Sequence, residues 1–131
     1  MNGGFEVGTA IPLRALHRMP VEGPEGELHP HDYRVEVVIR RASLDERGMV
    51  CDLDVLNPAL ASVVAEIDGR DLEAIRPPDA EAVTVEVLAR WVHGRMADPV
   101  RQAGGEELAV RVWESPTEFG GYRGPVGDRG G

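Results

Sequence analysis

Two histidines, His29 and His31, are separated by a single proline at the start of an alternating run of apolar residues. In a β-strand, residues two positions apart point to the same face, so this spacing predicts that the two imidazoles project side by side. Two neutral imidazoles are two of the three protein ligands that a catalytic zinc site uses. A third candidate ligand, His17, lies in an earlier run that can pair with this strand. The spacing alone leaves two interpretations open, a zinc site and three solvated imidazoles at a sheet edge.

The elements that must position these histidines follow from the periodicity of the apolar residues. Alternation with a period of two predicts strands, whereas spacings of three and four predict amphipathic helices. The predicted strands span 5–16, 32–41, 49–53 and 107–113, and the predicted helices span 54–67 and 84–96. Asp54 and Thr84 are the predicted N-caps. The order β-β-β-α-α-β favours an α+β fold with both helices on one face of an antiparallel sheet.

The chain has 131 residues, the length of one domain. We expect residues 1–122 to form that domain. Because the segment from 116 onward is rich in glycine, we expect residues 123–131 to be a disordered tail. A sheet of this kind leaves an edge exposed on each side, and we expect oligomerisation to cover those edges.

Charge and composition restrict the classes of partner. The net charge is −9 and the chain has no lysine, so we expect neither nucleic acid nor an anionic membrane as the main partner. No apolar stretch reaches the roughly 20 residues needed to cross a bilayer. The first ten residues lack the features of a signal peptide, and we therefore expect a cytoplasmic protein. A single cysteine, Cys51, excludes an intrachain disulfide and a thiolate metal cluster.

Six short segments resemble, in order and spacing, motifs of the 6-pyruvoyltetrahydropterin synthase family and its 6-carboxytetrahydropterin synthase relatives. Segment 15–17 (Ala-Leu-His) is similar to the family's AAH, and segment 29–33 (His-Pro-His-Asp-Tyr) is similar to HGHNY. Segments 48–53, 67–72, 83–86 and 112–115 are similar to GMVMDF, LDHRDLN, PTAEN and VxET. The resemblance spans residues 5–122 and is that of a divergent member.

This resemblance implies the tunnelling fold (T-fold), in which β-β-α-α-β-β-type subunits oligomerise and close their sheets into a barrel. Such assemblies are typically homohexamers of two trimers with active sites between subunits, and a smaller homo-oligomer is the alternative. The resemblance makes His17, His29 and His31 the ligands of Zn²⁺. In the family, zinc binds vicinal oxygens of the substrate side chain and acidifies the neighbouring C–H and O–H bonds. The implied substrate is a small pterin-like molecule.

Four residues of a substrate site follow from the same motifs. Glu114 matches the family's pterin anchor, whose carboxylate can accept two parallel hydrogen bonds from the amidine-like edge of the ring. Ser115 follows it in the same motif, and Thr84 and Glu86 lie in the segment that is similar to PTAEN. Spacing alone would make Glu114 an ordinary acidic residue at a strand end.

Two departures from the family concern proton transfer. The family's usual catalytic base is a cysteine four residues before the first histidine of HGH, and here that residue is Glu25. Some members without the cysteine use a glutamate two residues before the pair, which here is Glu27. The histidine of the LDH motif is replaced by Gly69, although the preceding Asp68 is kept. The expected general base is therefore Glu27 or, second to it, Glu25, and Asp68 remains from the catalytic Asp–His pair.

Two functions from different classes fit these residues. The first is a zinc-dependent carbon–oxygen or carbon–carbon lyase that acts on a dihydroneopterin-type or related heterocycle with a glutamate as base. The second is a catalytically inactive homologue that binds zinc and ligand and acts as an oligomeric or interaction protein. The missing cysteine and histidine motivate the second function directly.

Overall fold

The structure is a computed structural model and describes residues 3–127. It contains four strands, two helices and two short 3₁₀ turns. The strands are β1 (Phe5–His17), β2 (His29–Arg41), β3 (Glu107–Trp113) and β4 (Phe119–Pro125). The helices are α1 (Leu53–Ala65) and α2 (Val85–Gln102), and the 3₁₀ turns are Pro24–Gly26 and Leu72–Ile75.

The four strands form one antiparallel sheet in the order β1-β2-β3-β4. Alternate residues of β1, β2 and β3 point to the face that the helices cover, and their side chains form the sheet's half of the core. These buried residues are Leu13, Ala15, Tyr33, Val35, Val37, Ile39, Leu108, Val110 and Val112. The predicted α+β fold with two helices on one face of an antiparallel sheet is thereby confirmed.

Both helices begin at a capped residue and bury an apolar stripe. The Thr84 hydroxyl accepts a hydrogen bond from the Val87 amide at 3.2 Å, so the predicted cap of α2 is confirmed. The stripes combine residues three and four positions apart, the spacing of one helix face. They consist of Leu56, Leu60, Val63 and Val64 in α1 and of Leu88, Ala89, Val92, Met96 and Val100 in α2.

The predicted third strand over 49–53 is wrong, because this segment leads directly into α1. The N-cap of α1 is Asp52 rather than Asp54: the Asp52 carboxylate accepts a hydrogen bond from the Asp54 amide at 2.9 Å. Val50 and Cys51 are buried in the core. A short apolar run therefore anchors the helix start to the core without pairing with a strand.

Helix α2 extends six residues beyond its predicted end at 96. Val100 lies one turn after Met96 and is fully buried, so the apolar stripe continues through Pro99 to Gln102. The free energy gained by burying this last turn outweighs the free energy lost with the backbone hydrogen bond that a proline inside a helix removes.

The glycine-rich segment after Glu114 contains a fourth strand, β4. The expectation of a disordered tail over residues 123–131 is therefore wrong in part. An added Cβ at Gly120 would lie 2.5 Å from the Val85 side chain, and one at Gly121 would lie 2.5 Å from the Val110 carbonyl oxygen. The glycines thus permit close packing of β4 on α2 and β3. The strand extends to Pro125 and Val126 is buried, so ordered structure passes the expected boundary at 122. The rest of the expected tail, residues 128–131, lies outside the described residues.

The observed order, β-β-α-α-β-β, is the order implied by the family resemblance. The edge strands are β1 and β4, and part of the outer edge of β1 is covered by the segment after α1. There the Gly69 amide donates to the Arg14 carbonyl at 2.6 Å, and the Leu16 amide donates to the Arg70 carbonyl at 2.8 Å. Among the described residues, no helix is long and apolar enough to cross a membrane.

Candidate metal centre and substrate groove

Three histidines meet at one end of the β1–β2 ladder. His17 and His29 are the last directly opposed pair of this ladder, and His31 lies two residues further along β2, opposite Ala15. All three therefore project from the helix-covered face, beyond the apolar core. One ring nitrogen from each lies within 4.8 Å of the others. The structure thus brings together the three predicted metal ligands.

The ring nitrogens of this cluster are placed as metal ligands require. The Nδ1 atom of His29 lies 2.8 Å from the carbonyl oxygen of Glu27. A carbonyl only accepts hydrogen bonds, so Nδ1 is the donor, and in the neutral ring the lone pair is on Nε2. His17 Nδ1 and His31 Nε2 are buried and have no hydrogen-bond partner among residues 3–127. Buried polar atoms normally have partners, and a bound cation would supply one to all three rings.

Electrostatics favour the neutral form of His17, the form that binds metals. Burial lowers its pKa below the ordinary value of 6.5, and the neighbouring His29 and His31 lower it further. Glu25 and Glu114 act in the opposite direction. Three imidazole nitrogens within 4.8 Å of one another fit Zn²⁺ better than a hard, oxygen-preferring cation.

The two candidate bases, Glu25 and Glu27, approach this cluster through different groups. A Glu25 carboxylate oxygen is 3.8 Å from Nε2 of His29, and the side chain is 71% exposed. Glu27 contacts the cluster through its backbone carbonyl, and its side chain is exposed. The structure therefore places the Glu25 carboxylate near Nε2 of His29, one of the candidate ligand nitrogens.

Asp68 lies on the segment that covers the edge of β1. Its carboxylate accepts a hydrogen bond from the Arg14 amide at 3.1 Å, three residues before His17. The next residue, Gly69, has a φ of +75° and open space where a Cβ would be. The side chain of Asp68 thus holds this segment against β1, and Gly69 forms the turn.

Glu114 lies in a groove next to the histidine cluster. The groove has a volume of about 580 Å³ and is lined by Asp32, Tyr33, Arg34, Trp113, Glu114, Ser115 and Pro116. Glu114 is exposed, and its charge acts on both His17 and Tyr33. A free carboxylate at the wall of an open groove can accept hydrogen bonds from a planar, polar ligand.

The other predicted substrate residues have structural partners. The Ser115 hydroxyl accepts hydrogen bonds from the Thr117 and Glu118 amides at 3.3 and 3.1 Å, which closes the β3–β4 turn. Thr84 caps α2. The Glu86 carboxylate lies against Gly120 of β4, about 3.0 Å from the position of an added Cβ. Substrate binding by these residues stays a prediction.

Tyr33 connects the groove to the histidines, although it was not among the predicted site residues. Its ring is 4.6 Å from that of His31, and it also lines the groove. Burial, with the Glu114 charge as a second cause, raises the pKa of Tyr33 to about 12. The signal was present in the sequence, because Tyr33 lies two residues after His31 and shares its face of the strand.

His93 and Cys51 lie outside this site. His93, on α2, contacts the Gly124 carbonyl oxygen of β4 through Nε2 at 3.1 Å and packs against Tyr122. Cys51 is buried, and burial raises the pKa of its thiol, which disfavours the reactive thiolate.

Comparison with known proteins agrees with this combination of fold and histidine cluster. The sequence profile of the family described as 6-pyruvoyl tetrahydropterin synthase matches residues 7–125. The chain belongs to this family. An Archaeoglobus fulgidus protein named "Putative 6-carboxy-5,6,7,8-tetrahydropterin synthase" is 29% identical over 108 residues, which cover 81% of this chain and 93% of the relative.

Solved structures of the pterin synthase family share the fold. The Plasmodium falciparum 6-pyruvoyl tetrahydropterin synthase superimposes with a TM-score of 0.76 at 16% identity, covering 95% of this chain and 99% of that chain. A Plasmodium vivax 6-pyruvoyltetrahydropterin synthase superimposes with a TM-score of 0.75 at 13% identity and the same coverage. The latter is a variant in which a catalytic glutamate is replaced by cysteine.

Proposed function

We propose that this protein is a zinc-dependent lyase of the 6-pyruvoyl- or 6-carboxytetrahydropterin synthase type, acting on a dihydroneopterin-type or related heterocycle. The observation that carries the proposal is the cluster of three histidines whose ligand nitrogens lie within 4.8 Å of one another. Bound Zn²⁺ would act as a Lewis acid toward the oxygens of the substrate side chain. Membership of the family and the adjoining groove support a substrate of this class.

Glu114 orients the substrate in this proposal. Its carboxylate accepts two parallel hydrogen bonds from the amidine-like edge of the heterocycle, which places the ring in the groove. Tyr33 packs between the groove and His31 and positions that imidazole. The side chain of the substrate then extends from the groove toward the histidines.

A glutamate accepts the proton that the chemistry removes. Both Glu25 and Glu27 lie on the loop before β2, and the Plasmodium vivax relative supports a glutamate in this role because its catalytic residue is described as one. Glu25 has its carboxylate closer to the histidines, whereas Glu27 has the spacing of family members that lack the cysteine. Separate substitution of each distinguishes them.

We also propose that the protein is a homo-oligomer, a hexamer of two trimers or smaller, in the cytoplasm. Among residues 3–127, no strand pairs with the outer edge of β4 or with the outer edge of the first part of β1. Free edges pair readily with another chain, and pairing between copies would close the sheets into a barrel. Native mass spectrometry tests this, and a monomer at micromolar concentration would contradict it.

The zinc site is tested by the metal content of untagged protein. We expect close to one zinc per chain in the wild type and loss of most of it in His31→Ala. His93→Gln is the control, since His93 contacts Gly124 rather than the cluster. Less than about half a zinc per chain in the wild type, unchanged in His31→Ala, would overturn the proposal.

The reaction is tested by incubating the zinc-loaded protein with 7,8-dihydroneopterin triphosphate and with its dephosphorylated analogue, with products identified by mass spectrometry. We expect a cleaved or eliminated side-chain product from one of them. Replacement of the base, by Glu25→Gln or Glu27→Gln, should reduce turnover by roughly 10²–10⁴-fold. If neither substitution changes turnover, a glutamate base is contradicted.

The inactive zinc- and ligand-binding homologue remains a second candidate because of one observation. Gly69, which stands where the family has a histidine, has no side chain and a turn conformation with φ +75°. If ligand binds to the zinc form but no product accumulates from either substrate, this second function is favoured over the lyase.

A further inference from the structure

Nε2 of His29 and a carboxylate oxygen of Glu25 face each other at the edge of the histidine cluster. Nδ1 of His29 donates to the Glu27 carbonyl at 2.8 Å, which leaves Nε2 as the lone-pair nitrogen of the neutral ring. A Glu25 carboxylate oxygen lies 3.8 Å from that same Nε2. A cation between these two atoms would contact both of them.

The geometry favours a metal ion over a proton as that cation. The separation of 3.8 Å is longer than the 2.7–3.2 Å of an N–H···O hydrogen bond. Two ligands bound to one tetrahedral zinc at ~2.0–2.2 Å are separated by roughly 3.4 Å. Nδ1 of His17 and Nε2 of His31, which have no hydrogen-bond partner in the described part of the chain, belong to the same cluster, so a cation that Glu25 contacts could also contact these two rings.

The loop before β2 keeps Glu25 near this position while leaving its side chain free to move. The Met19 amide donates to the Glu25 carbonyl at 2.8 Å, which ties the Glu25 backbone to the segment just after His17. Gly26 allows the tight packing of this loop, because an added Cβ would lie 1.9 Å from the Val21 carbonyl oxygen. The carboxylate itself is 71% exposed and can therefore approach or leave a metal ion without disturbing the core.

We propose that Glu25 is a displaceable fourth protein ligand of the zinc ion held by His17, His29 and His31, an inference that rests on the proposed zinc site. Without substrate, Glu25 completes the coordination of the ion and closes the site. An incoming substrate must replace this carboxylate, which favours ligands that present two oxygens to the metal over ligands that present one. Release of Glu25 then places a free carboxylate next to the bound substrate.

The test measures the zinc dissociation constant of the full chain by competition with a chelator. We expect Glu25→Gln to weaken zinc binding by about 10–100-fold, the range known for lost supporting interactions at metal sites. Glu25→Asp keeps the charge but shortens the side chain. Its zinc affinity should therefore fall if Glu25 coordinates the metal, and stay at the wild-type value if only the charge matters. Glu22→Gln, which removes the same charge from the same loop, is the matched control and should bind zinc like the wild type.

A spectroscopic measurement reports the coordination directly. In the Co²⁺-substituted protein, Glu25→Gln should change the position and intensity of the visible d–d bands, whereas Glu22→Gln and Glu27→Gln should leave them unchanged. Wild-type affinity and an unchanged spectrum in Glu25→Gln would overturn the fourth-ligand role while the zinc site stands. Failure of the wild type to bind zinc or Co²⁺ would overturn the zinc site as well, so the two failures are distinguishable.

Discussion

His17 and His29 are directly opposed partners at the end of the β1–β2 ladder, with ring centroids 4.7 Å apart. Eleven residues, 18–28, lie between them in the sequence, and the loop they form is closed by its own backbone hydrogen bonds. The register of two long strands therefore places the imidazoles together. The candidate metal centre is built on rigid elements, which keeps its geometry well defined.

The metal-free protein should lose stability on mild acidification because of His17. Its pKa is lowered from 6.5 in the folded state, mainly by burial, so the unfolded chain binds a proton at a higher pH than the folded chain does. This contribution to the free energy of unfolding is complete above about pH 6.5 and is lost as the pH falls toward the lowered pKa. Urea unfolding of chelator-treated protein between pH 7.5 and 5.5 measures it.

The matched variant for this experiment is His17→Gln, which cannot titrate. Its stability should fall less than that of the wild type over the same pH range. A difference between the two proteins that does not vary with pH would contradict the assigned shift in the pKa of His17.

Glu114→Gln should weaken ligand binding without affecting the metal. The substitution replaces the charged acceptor in the groove with a neutral amide, and hydrogen bonds to charged groups contribute about 1.5–3 kcal/mol. We therefore expect the dissociation constant for a pterin to rise by roughly 10–150-fold in fluorescence titration. Zinc content should stay at the wild-type value.

Glu118→Gln is the control for Glu114→Gln, because Glu118 lies in the same turn and its backbone carbonyl accepts a hydrogen bond from the Glu114 amide, which the substitution keeps. This variant should bind the pterin as the wild type does. Equal weakening in both variants would indicate a general charge effect and would contradict the anchoring role of Glu114.

Two glycine-to-alanine substitutions should change stability in opposite directions. Gly94 lies inside α2 with open space for a Cβ, so Gly94→Ala should stabilise the protein by about 0.5–1 kcal/mol through helix propensity. Gly69 has φ +75°, where a Cβ is unfavourable, so Gly69→Ala should destabilise it by about 1–2 kcal/mol. Chemical denaturation of both variants measures the two changes in the free energy of unfolding. A stabilising Gly69→Ala would contradict the turn geometry.

A pair of valines in α1 tests which face of that helix is buried. Val64 is 3% exposed and Val55 is 59% exposed. Val64→Ala should cost about 2–3 kcal/mol, the transfer free energy of two buried carbons plus a cavity term. Val55→Ala should change the free energy of unfolding by less than about 0.5 kcal/mol. Similar losses from both variants would contradict the packing of α1 against the sheet.

Much of the fold was predictable because its elements have clear apolar periodicity. Strand β3 has the predicted bounds of 107–113, and Thr84 caps α2 as predicted. Strand β4 was missed because its glycines resemble those of a tail, although they serve close packing against Val85 and Val110. The segment 49–53 was misassigned because a short apolar run has the same pattern whether it forms a strand or anchors a helix.

The three histidines, their common strand face and the loss of the usual catalytic cysteine and histidine can be read from the order of residues. How these groups meet depends on the folded chain. The β1–β2 register brings His17 opposite His29, the Glu27 carbonyl selects the tautomer of His29, and the loop directs the Glu25 carboxylate to its Nε2. The physical reason is that spacing within one strand fixes which face a side chain occupies. Distances between segments depend on register, loop hydrogen bonds and packing, which are properties of the folded chain.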